Sequence, residues 1–68
     1  MQPIRQPFQQ RVVNEKTELD EKLSSLSLFL VTPTYESLPP NERIRLGRQR
    51  EVMTTYSDIL GERIKAFA

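Results

Sequence analysis

Two long amphipathic runs, residues 8–31 and 40–67, stand on either side of one short connection holding Pro33 and Pro39. Each run has a single neighbour within the chain. Apolar side chains on any further face therefore need a second subunit or a ligand to cover them. A chain of 68 residues encloses only a small core, and this one has neither cysteine nor histidine. Disulfide staples, thiolate metal sites and the usual proton shuttle near neutral pH are thereby removed, which leaves self-association as the stabiliser. The expected fold class is all-α: a two-helix antiparallel hairpin, 8–68, assembling into an oligomeric helical bundle, dimer or higher. Residues 1–7, with Pro3 and Pro7, read as a flexible arm, and docking of Ile4 on a neighbour would turn that arm into a strap.

In the first run Val12, Leu19, Leu23, Leu26 and Leu30 follow heptad spacing, and Lys16 occupies the position that would complete the stripe. Phe29 widens it near the end, while Thr17, Asp20, Glu21, Lys22 and Ser24 fall outside. Pro33 pushes Thr32 out of the helical region, so the helix should stop near Val31. The connection, 32–39, should lay Tyr35 and Leu38 over Leu30. Ser37 is the expected cap of the second helix, and Pro40 suits its first turn.

The second run carries Leu46, Gln49, Met53, Tyr56, Leu60, Arg63 and Phe67 at steps of three and four. Val52, Ile59 and Ala66 form a second line, with Ile64 beside it. Two apolar lines on one helix suit a bundle of more than two helices. Antiparallel pairing brings Leu26 near Leu46, Leu23 near Gln49, Leu19 near Met53, Lys16 near Tyr56 and Val12 near Leu60.

Three constellations could carry chemistry. Lys16 with Tyr56, supported by Thr55, Gln49 and Arg63, could floor a site for a planar anion, the ring stacking a base and the cations meeting phosphate. The structural alternative is a lysine that snorkels over the ring while Gln49 fixes register. Arg43, Arg45, Arg48 and Arg50 lie near the positive end of the second helix, where an external anion would relieve them. Pairing with the acidic run Glu15, Glu18, Asp20 and Glu21 of another subunit would do the same. That acidic run lacks a glycine-turned loop and does not read as a metal site. No nucleophile–base pair or phosphate cradle is present, so the chain reads as a binding protein, not an enzyme, and no cofactor is expected.

Ten Lys and Arg against nine Asp and Glu leave little net charge for bulk attraction to nucleic acid or acidic lipid. The longest apolar run, 28–31, is too short to cross a bilayer.

The segment RVVNEKTELDEKL at 11–23 resembles the opening of short helical-hairpin proteins encoded by tailed phages and prophages. The later pattern of Leu38, Arg45-Leu46, Gln49, Met53, Tyr56, Ile59-Leu60, Arg63-Ile64 and Phe67 is similar to theirs as well. More distantly, the architecture resembles phage anti-CBASS and anti-Thoeris sponges, oligomeric hairpins that sequester cyclic nucleotide signals. In those proteins an aromatic residue stacks a base, and basic residues hold phosphates at subunit junctions. Lys16 and Tyr56 are candidates here by their chemistry, not by alignment.

That resemblance implies a counter-defence protein of the host-cell cytoplasm acting by stoichiometric binding, with a cyclic nucleotide held between hairpins. A protein–protein inhibitor or adaptor, docking a charged helix face on a host defence protein, is the alternative. A four-helix bundle that reads folded RNA is a third reading, which the near-neutral charge disfavours.

Overall fold

The computed structural model describes residues 5–67 as two long helices joined through one helical turn. These are α1 (Pro7–Phe29), α2 (Pro33–Glu36) and α3 (Pro40–Lys65). Ile4 and the start of the expected arm lie outside the described residues. Pro7 itself belongs to α1, where its missing N–H costs nothing in the first turn. Ahead of it, the Gln6 amide donates to Gln9 Oε1 at 2.8 Å and so gains a partner at the helix start.

α1 and α3 run antiparallel and pack on each other along their length. The molecule is a rod of 50 × 17 × 14 Å. At about 1.5 Å per residue the helices are roughly 35 and 39 Å long, which accounts for most of that long dimension.

The turn is tighter than an irregular loop. Thr32 leaves the helical region ahead of Pro33, as expected, and its hydroxyl does two jobs. It donates to Phe29 O at 2.7 Å and accepts from the Tyr35 amide at 3.3 Å, closing α1 and capping α2. Ser37 is not the cap of α3, because Pro39 holds that position and the Ser37 hydroxyl donates back to Thr34 O. Tyr35 packs edge-on against Phe29, with ring centroids 6.2 Å apart. At the opposite end Phe8 and Phe67 meet in the same edge-on manner at 6.0 Å. An aromatic pair thus closes each end of the rod.

Between these ends the core is thin. Among the described residues Leu60, at 1% exposed, and Val12, at 5%, are the buried apolar side chains. Leu19, Leu23, Leu26, Phe29, Leu30, Leu46, Met53, Ile64 and Phe67 are half-buried. All of them sit where the α1–α3 contact reaches but does not enclose them. Two helices present a line of contact, not a pocket, so this is the geometric ceiling for a lone hairpin.

Four assignments of the apolar stripe change, Tyr56 at 40% exposed among them. Ile59, placed in the core, is 47% exposed and turns outward. Gln49 and Arg63, placed on the seam, are exposed as well. The line of α3 that faces α1 runs Leu46, Met53, Ser57, Leu60 and Ile64, whereas Gln49, Tyr56 and Arg63 lie beside it. Both lines have three-and-four spacing, and on a helix each residue turns about 100°. Burial follows the line that includes Ser57, whose hydroxyl bonds Lys16 and Asp20 across the interface.

Candidate functional site

The polar centre of the hairpin is built by Lys16, Asp20 and Ser57. Lys16 and Asp20 are one helical turn apart on α1, and Lys16 Nζ donates to Asp20 Oδ2 at 2.9 Å. The same ammonium donates to Ser57 Oγ across the helix interface at 2.8 Å. The Ser57 hydroxyl in turn donates to Asp20 Oδ1, which closes a three-membered ring of hydrogen bonds. Ser57 is only 6% exposed, so its hydroxyl has exchanged water for these partners. The Ser57 hydroxyl first, and then the Lys16 ammonium, holds the Asp20 carboxyl below the usual carboxylate range.

The lysine stem runs over Gly61 on its way to Ser57. A methyl group at Gly61 would lie 3.5 Å from Lys16 Cε, in ordinary contact, so the stem rests on the glycine. Asp20, expected to face away, instead turns into this ring. Lys16 does interrupt the apolar stripe as expected, but its partner on α3 is Ser57, not Tyr56. Ser57 was not singled out in the sequence, and Asp20 was named only as a member of the acidic run. The available signal was Ser57 followed four residues later by Gly61, a small-residue step beside the apolar line.

Tyr56 points the other way, 40% exposed on the outer side of α3. It borders a shallow groove of about 400 Å³ with Glu51, Val52, Thr55 and Ile59. An adjoining groove shares Val52 and continues past Met53 and Gln49 to Arg45 and Arg48. Of Arg43, Arg45, Arg48 and Arg50, Arg45 and Arg48 line that surface. Arg43 sits under Tyr35, whose hydroxyl lies 3.5 Å from the Arg43 carbonyl, and its Nε is buried without a partner. Arg50 turns to the flank, where its Nε donates to Ser27 Oγ at 3.1 Å. Arg45 also pairs with Glu42 one turn back, at 3.1 Å. Arg63 is exposed near the far end of α3.

The candidate cations therefore divide three ways. Lys16 is consumed inside the hairpin, Arg50 is engaged on the flank while Arg43 is half-buried beside the turn, and Arg45, Arg48 and Arg63 remain on the open side. The outer surface of α3 combines an aromatic ring, two β-branched aliphatics and cations on one helix. Such a surface can stack a planar group and neutralise an anion beside it. Among the described residues no group of three or more acidic side chains is placed to hold a metal ion. No described helix is long and apolar enough to cross a membrane.

Among curated proteins and among solved structures, none matches the chain. The family model described as Sequestin matches residues 6–66, which takes in both long helices, the capped turn and all three members of the polar ring. By that match the chain belongs to the Sequestin family.

Proposed function

We propose that this protein works by stoichiometric binding and sequesters a cyclic nucleotide signal between hairpins of an oligomer, as a phage-type counter-defence protein. The family's name, which denotes sequestration, supports the binding role. The observation that carries the ligand class is the outward Tyr56 ring beside a groove leading from Ile59 to Arg45 and Arg48. In this reading Tyr56 stacks a base, Thr55 offers a hydroxyl, and Arg45, Arg48 and Arg63 neutralise phosphate. Lys16 contributes by fixing the register that aims α3, since its ammonium is already engaged. The chemistry is retention, not turnover.

Titration calorimetry of the purified protein against a panel of cyclic di- and trinucleotides tests this directly. Saturable heat at a fixed ratio of ligand to chain is expected. Uniformly absent heat across the panel overturns the nucleotide reading.

A second reading draws on the outer side of α1, where Glu15, Glu18 and Glu21 are all exposed. An acidic helix face of this kind could dock on a basic surface of a host protein. One host protein captured at a one-to-one ratio, together with no nucleotide heat, would favour it.

A further inference from the structure

We infer that the outer face of α3 is an interface between two copies of this chain, laid antiparallel about a twofold axis near the middle of the helix. The proposal rests on the reading that hairpins assemble, but not on what they bind.

The apolar argument comes first. Val52 is 68% exposed and Ile59 is 47% exposed, although both are large and aliphatic. They stand two helical turns apart on one side, and Thr55 falls between them. Arg45, Arg48, Glu62 and Ala66 continue the same three-and-four spacing toward both ends. Together these positions form a second seam, on the opposite side of α3 from Ser57 and Leu60. A seam of this period is what a partner helix packs against.

Charge then chooses the occupant and its direction. The first half of α3 bears Arg43, Arg45, Arg48 and Arg50 against Glu42 and Glu51, whereas the second half bears Asp58 and Glu62 balanced by Arg63 and Lys65. A parallel copy would set one arginine-rich half against the other. An antiparallel copy avoids this, setting the basic half of each helix against the charge-balanced half of its partner. With the two helices centred on each other, Val52 meets the partner subunit's Thr55, and Arg45 comes beside the partner subunit's Glu62. Twofold symmetry makes each contact twice. Arg45 now leans on Glu42, an exposed pair worth little, so redirecting it across the seam costs little.

Tyr56 lies at the margin of this seam, beside the partner's Gln49. One side of its ring is thus left toward solvent, and the groove it borders becomes a crevice walled by two chains. The ligand site proposed above would then be incomplete in a single hairpin.

The experiment uses the full chain, which has no native cysteine. Wild-type protein should sediment at micromolar concentration as a dimer or a multiple of one. Asn41→Cys and Ala66→Cys, both at exposed positions, should form a mixed disulfide under mild oxidation when combined and little when either is oxidised alone. Val52→Lys with Ile59→Lys should keep the helical circular dichroism of the hairpin, because neither side chain faces α1, and should weaken association by roughly 100-fold or more. A monomeric wild type overturns the proposal. So does a cross-link dominated by each cysteine variant with itself, or an oligomer indifferent to both lysines. A dimer that passes these tests but gives no nucleotide heat sinks the sponge reading alone.

Discussion

Lys16 of α1 and Ser57 of α3 are joined by a hydrogen bond of 2.8 Å across 41 residues of sequence, and Asp20 binds both. Among the described residues this is the one polar ring spanning the two helices near the middle of the rod, and it fixes their register. Apolar contacts alone would tolerate sliding by a helical turn, because half-buried leucines on a stripe are nearly interchangeable. A lysine that must find both a carboxylate and a serine is not.

Ser57→Ala should lower stability by about 0.5–1.5 kcal/mol, the net worth of a typical internal hydrogen bond. Ser57→Leu should cost more, about 1–3 kcal/mol, because Ser57 is buried against Lys16 and Asp20 and a larger side chain would displace both. Thermal unfolding followed by circular dichroism separates the two. Equal melting of both variants would mean that the serine side of α3 is not the packed side.

The depressed Asp20 carboxyl sets a pH dependence of known sign. Its folded pKa lies below its unfolded value, so the unfolded chain takes up the proton first as the pH falls. The ring's contribution is therefore present in full above the usual carboxylate range and is lost as the pH drops through and below it. Asp20→Asn should flatten this acid limb relative to wild type. The gap in melting temperature between the two proteins should be widest at pH 7 and should narrow toward about pH 3. An unchanged acid limb in Asp20→Asn would assign the acid sensitivity elsewhere.

Leu60→Ala should be the most damaging single truncation, at about 2–5 kcal/mol, since Leu60 is the fully buried large side chain among the described residues. Leu28→Ala should change stability by no more than about 0.5 kcal/mol, because Leu28 is exposed. Denaturant midpoints decide this. A loss at Leu28 as large as that at Leu60 would reveal a second buried interface on α1.

Gly47→Ala should stabilise the protein by roughly 0.8–1 kcal/mol, the helix-propensity gain at an interior site. A methyl group there meets nothing within 4 Å, so no clash offsets the gain. Destabilisation instead would place another chain against Gly47 in the assembly.

Tyr56→Ala should weaken cyclic-nucleotide binding by about 1–3 kcal/mol, the range for one lost base–aromatic stack, while melting stays close to wild type. Calorimetry on wild type and variant gives the comparison. Equal affinity would remove Tyr56 from the site.

The order of helix, proline turn and helix was legible in the sequence because each stop is local. Pro33 forces Thr32 out of the helix, and Pro40 opens the next one. The deficit of enclosed core was legible too, since two amphipathic helices can share only one line of contact. Lys16 announced itself as a polar break in an apolar stripe. What could not be read was the rotation of α3. The lines through Tyr56 and through Ser57 are one residue apart, equally periodic, and both contain apolar neighbours. Only packing settles between them, through the small cross-section at Ser57 and Gly61 and the carboxylate that Asp20 brings to the same point. That rotation drives Lys16 inward and turns Tyr56, Val52 and Ile59 outward, and so decides which chemistry the hairpin keeps for itself and which it offers to a partner.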